Sequence, residues 1–61
     1  MIRIDIEKEV AYLRSKMPNI GDTYRILDRY NDDDVNALKE EGFSAERYDF
    51  GFEMIEFTRI F

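Results

Sequence analysis

The sequence predicts an α+β domain in which two or three helices pack on one face of a C-terminal antiparallel β-hairpin. Three observations carry this prediction. Ile6, Val10, Leu13 and Met17 recur at helical spacing. Asn31 to Gly42 carries a full set of helix start and stop signals. From Phe43 onward, β-branched and aromatic residues flank an isolated glycine, the signature of two strands and a turn.

The first helix is predicted over about 5–17. Asp5 is a good N-cap, and Glu7 and Glu9 stand where the positive end of the helix dipole favours carboxylates. Arg14 and Lys16 stand at the negative end, and Pro18 with Asn19 stops the helix. The preceding Met1–Ile4 alternates and reads as a short strand or a helical extension. Ile20-Gly21-Asp22 is a turn. Thr23 to Tyr30 fits two periods. As a helix it groups Ile26, Leu27 and Tyr30; as a strand it groups Tyr24, Ile26 and Tyr30, with Asp28 as the exception. The helix is preferred.

The second helix is predicted over 31–41. Asn31 caps it, and Asp32, Asp33 and Asp34 fill a first turn whose backbone N–H groups lack partners. Tyr30 and Val35 have the spacing of a hydrophobic staple. Gly42 falls where a left-handed residue ends a helix, with Leu38 and Phe43 placed to touch across the cap. In the hairpin, strands of about 43–48 and 54–61 flank a turn at Asp49–Glu53, with Gly51 in the positive-φ position. Ile55, Phe57, Arg59 and Phe61 share one face of the second strand. Its edge is expected to lie open, free to pair with a second copy, with a strand from a target, or with residues 1–4.

Composition limits what such a domain does. No cysteine and no histidine are present, so disulfides, zinc sites and the commonest catalytic base and nucleophile are absent. A domain of 61 residues is also expected to have little room for a pocket of ~300 Å³. The expectation is a non-enzymatic protein without cofactor or metal. Asp32, Asp34 and Asn36 match the first oxygen ligands of a calcium loop, but Ala37 and Phe43 stand where the loop needs glycine and glutamate. The acids therefore read as a helix start. No stretch suits a membrane span or a secretory signal, which points to the cytoplasm. The net charge of −5, with bases interleaved among acids, argues against direct binding of nucleic acid or anionic membranes.

The charge is divided unevenly. Residues 1–30 hold six basic and five acidic side chains; residues 31–61 hold three basic and nine acidic ones, with six of the nine aromatics. The candidate contact surface lies there. Tyr48, Phe50 and Phe52 cannot all turn inward at a hairpin tip, so they either fold back over the first helix or stand out as anchors. Glu46, Asp49, Glu53 and Glu56 would steer a basic partner. The leading expectation is a small acidic protein-binding module, an inhibitor occupying a surface of a larger macromolecule. The alternatives are a nucleic-acid mimic that blocks a DNA- or RNA-binding defence protein, and a homodimeric accessory subunit.

Overall fold

The computed structural model describes all 61 residues. Five elements follow in the order α1 (Ile6–Lys16), β1 (Thr23–Leu27), α2 (Asp32–Glu40), β2 (Phe43–Asp49) and β3 (Glu53–Arg59). The class is α+β, with both helices packed against an antiparallel sheet of three strands ordered β1-β3-β2.

Both helices begin and end as their signals require. The Asp5 carboxylate accepts from the Lys8 N–H at 3.3 Å. At α2, Asn31 accepts from the Asp34 N–H at 2.8 Å while Asp34 accepts from the Asn31 N–H at 3.1 Å, a reciprocal capping box. Gly42 takes φ +106° just beyond the Glu41 C-cap. It is also crowded: a Cβ there would lie 2.9 Å from the Phe61 carbonyl oxygen and 3.0 Å from the Phe61 ring. Gly42→Ala combines an unfavourable φ with a backbone clash and is expected to cost about 1–3 kcal/mol. Chemical denaturation checks this, with Gly51→Ala as the comparison, because Gly51 (φ +90°) has open space around its Cβ position.

Three sequence expectations are corrected. Residues 23–27 are a strand, not a short helix. The strand ends at Leu27, so Asp28, the exception to its alternation, lies beyond it. Pairing with β3 outweighs the weak helical pattern: Tyr24 stands opposite Phe57 and Ile26 opposite Ile55. The last strand is consequently the centre of the sheet rather than an open edge, with β1 on one side and β2 on the other. Met1–Ile4 forms neither strand nor helix. Asp34 holds this segment instead, accepting from the Arg3 N–H at 2.7 Å and the Ile4 N–H at 3.3 Å.

The core lies between the helices and one sheet face. Val10, Leu13 and Met17 come from the first helix and its C-cap, Val35 and Leu38 from α2, and Phe43, Ile55 and Phe57 from the sheet. Phe57 sits at the centre, edge-to-face with Tyr30 at 5.5 Å and with Phe43 at 6.3 Å. Arg59, on the same face, does not pack as an apolar residue. It donates to the Met17 and Pro18 carbonyls at 3.1 and 2.9 Å, which ties the end of α1 to β3. No helix is long and apolar enough to cross a membrane.

Candidate functional site

Alternation along the strands divides the sheet into two faces. Ile55, Phe57, Tyr24, Ile26, Phe43 and Ala45 turn toward the helices. The side chains at the alternate positions, out of phase with these, form a face that no element covers. The strand register arranges them in three rows. Thr23, Thr58 and Ser44 form a hydroxyl row; Arg25, Glu56 and Glu46 form a charged row; Leu27, Met54 and Tyr48 form an apolar row. Rows lie about 7 Å apart, two residues along a strand.

The apolar row leads into the hairpin tip. Phe50 stacks on Tyr48 with ring centroids 5.6 Å apart and planes at 12°. Phe50 and Phe52 remain 61% and 58% exposed, and Leu27 is 51% exposed. The tip therefore does not fold back over α1. These rings carry little of the fold, so Phe50→Ala and Phe52→Ala are each expected to change stability by less than about 1 kcal/mol. Thermal melts of the two variants check this, and a large loss in either would mean the ring is packed.

In the charged row, Arg25 lies 3.2 Å from the Glu56 carboxylate, with its guanidinium 5.0 Å from the Tyr48 ring centroid. Glu46 stands directly across the ladder from Glu56, a like-charge pairing that costs stability. Its one hydrogen-bonding partner among the side chains is the Tyr48 hydroxyl, which donates to it at 2.5 Å. That bond to a carboxylate raises the Tyr48 pKa above the usual tyrosine value. No basic side chain forms an ion pair with Glu46.

The seven residues singled out by sequence thus fall into two groups. Glu46, Tyr48 and Glu56 meet on the open face, with Phe50 and Phe52 at its tip end. Asp49 and Glu53 pair with each other and belong to the opposite side. There they line a cleft of about 370 Å³ together with Asp28, Tyr30, Asp32 and Arg47, and Tyr48 of the open-face group reaches its edge, so the domain has more surface relief than its length suggests. The one cation in this cleft is fully engaged. Arg47 contacts Asp28 at 2.8 Å, pairs with Asp32, and donates to the Tyr30 carbonyl at 3.0 Å. It clasps the connection between β1 and α2. The adjacent acids of the apparent calcium loop are likewise occupied: Asp32 by Arg47, Asp33 by the Met1 amine, and Asp34 by three backbone N–H groups.

Arg25, Leu27 and Met54 belong to the open face but were not among the sequence candidates. The alternation of Thr23, Arg25 and Leu27 signals them once residues 23–27 are taken as a strand. No protein-family model, curated protein or solved structure matches this chain.

Proposed function

We propose that the chain is a small non-enzymatic protein-binding module, an inhibitor that acts by covering a surface of a larger macromolecule. Its contact surface is the open sheet face together with the aromatic hairpin tip. The observation that supports this most is the uncovered face itself: one side of a three-stranded sheet carries no packing layer, and exposed Leu27, Phe50 and Phe52 border it. Exposed aromatics beside charged groups are the usual composition of interface anchors.

The nucleic-acid mimic draws less support. Its carboxylates would have to line one face, yet Glu46 and Glu56 point to one side of the sheet and Asp49 and Glu53 to the other. Arg25 and Arg47 also stand among them.

The test is affinity capture with the wild-type domain and with a Phe50→Ala/Phe52→Ala double variant, washed at low and high salt. The proposal expects a partner that survives high salt on the wild type and is lost from the variant. A partner released by salt, displaced by nucleic acid and indifferent to the two phenylalanines supports the mimic instead. Recovery of the chain alone, with melting that depends on its concentration, supports a homodimer.

A further inference from the structure

We infer that the partner of the open face is an extended protein segment presenting an apolar, a basic and a hydroxyl side chain at alternate positions. This rests on the open face being the contact surface and specifies what fits it.

The charged row is unbalanced. Arg25 supplies one positive charge to two carboxylates, and it already lies against Glu56 and the Tyr48 ring. Glu46 and Glu56 oppose each other across the ladder, and Glu46 has only a neutral hydroxyl as a side-chain partner. A guanidinium or ammonium group brought to this row would relieve the like-charge pairing and give Glu46 a charge-assisted hydrogen bond. Tyr48 already carries Arg25 on its ring, but the exposed Phe50 ring stacked on Tyr48 leaves an aromatic surface beside the row for the same cation.

The rows on either side set the neighbouring positions. Leu27, Met54 and Tyr48 offer an apolar strip, while Thr23, Thr58 and Ser44 offer hydroxyls. Side chains two residues apart on an extended segment are also separated by about 7 Å, which matches the spacing of the rows. A segment lying along β3 therefore sets an apolar side chain on the first row, its base on the second and its hydroxyl on the third.

A second copy of the chain fits less well. Turned about an axis along β3, two such faces oppose Arg25 to Glu46 and Leu27 to Tyr48, but they also bring Glu56 against Glu56. The joined surface holds four carboxylates and two guanidinium groups. Nucleic acid fits worse, since it would add phosphates to the same imbalance.

The experiment is an NMR titration of the ¹⁵N-labelled protein with three peptides, Ser-Leu-Ser-X-Ser-Thr-Ser, where X is Arg, Gln or Glu. The inference expects the Arg peptide to shift the amide signals of Arg25, Leu27, Glu46, Tyr48 and Glu56. It expects roughly fivefold tighter binding than for the Gln peptide, the range of an exposed ion pair, and weaker binding still for the Glu peptide. Glu46→Gln removes the Arg advantage. Glu40→Gln, an equal charge change on the exposed surface of α2, preserves it. Equal binding of the Arg and Gln peptides at this face would overturn the basic-segment inference while leaving the face as a contact surface. Equal loss in the two variants would also overturn it, by reducing recognition to net charge. Shifts confined to the helices, or none with any peptide, would overturn both the inference and the reading it rests on.

Discussion

Phe57→Ala is expected to abolish cooperative unfolding near physiological temperature. Phe57 is fully buried on the central strand and touches both Tyr30 and Phe43 edge-to-face. Removing the ring takes away its transfer free energy and leaves a cavity between three elements, at a cost of about 3–5 kcal/mol. A native domain typically has about 5–15 kcal/mol in total, and one this small sits near the bottom of that range. The measurement is a thermal melt by circular dichroism together with the dispersion of amide NMR signals. A sigmoidal melt within a few degrees of wild type would show that the core does not depend on this ring. Phe50→Ala is the matched control: the same atoms are removed from the exposed hairpin tip, with little effect expected.

Asp34→Ala is expected to be nearly as damaging, through a different cause. The Asp34 carboxylate is only 1% exposed, yet it accepts from the N–H groups of Arg3, Ile4 and Asn31. Alanine leaves three donors without their acceptor and releases the N-terminal segment from α2, at a cost of about 2–4 kcal/mol. Asparagine does not rescue it, because its amide nitrogen would point a donor at other donors. The same site makes stability depend on pH. Burial pushes the Asp34 pKa up, but the bonds from Arg3, Asn31 and Ile4 outweigh this and hold it below the ordinary 3.8. A depressed folded pKa stabilises the fold fully above the unfolded value, and the contribution is lost as pH falls through the folded one. Wild-type stability is therefore expected to drop below about pH 4, and Asp34→Asn to show a shallower acid slope from a lower starting point. Urea denaturation at neutral and acid pH reads both effects. Parallel slopes in the two proteins would assign the acid sensitivity to other carboxylates.

What the sequence made legible was what is encoded locally. Asp5, Asn31, the three aspartates and Gly42 act within a few residues of themselves, so both helices and their ends could be read from neighbours alone. The β2–β3 hairpin was legible for the same reason, since Gly51 and the flanking strands are contiguous. Strand β1 was not. Five residues give too few turns of any period to choose between helix and strand, and its partner, β3, lies about thirty residues further along the chain. That one ambiguity concealed the central place of β3 and a third of the open face. Glu46, Tyr48 and Glu56 were found from the hairpin, whereas Arg25 and Leu27 depended on the unread strand. Asp49 and Glu53 were grouped with them because charge along a chain does not reveal which side of a sheet a residue faces. The capping carboxylate of Asp34 was anticipated, but its hold on Arg3 and Ile4 depends on contacts across thirty residues and has no local signal.

The position of β3 also governs the order in which the fold can be assembled. Strands β1 and β2 meet only through β3, the last element in the chain. While the polypeptide is being synthesised, the helices can form as they emerge, but neither strand has a partner until residues 53–59 arrive. Leu13, Leu38 and Phe43 stay without Ile55 and Phe57 until the same moment. Nascent chains that stop short of Glu53 consequently hold two unpaired strands and a core without Ile55 and Phe57, a form suited to capture by chaperones and proteases rather than to gradual maturation.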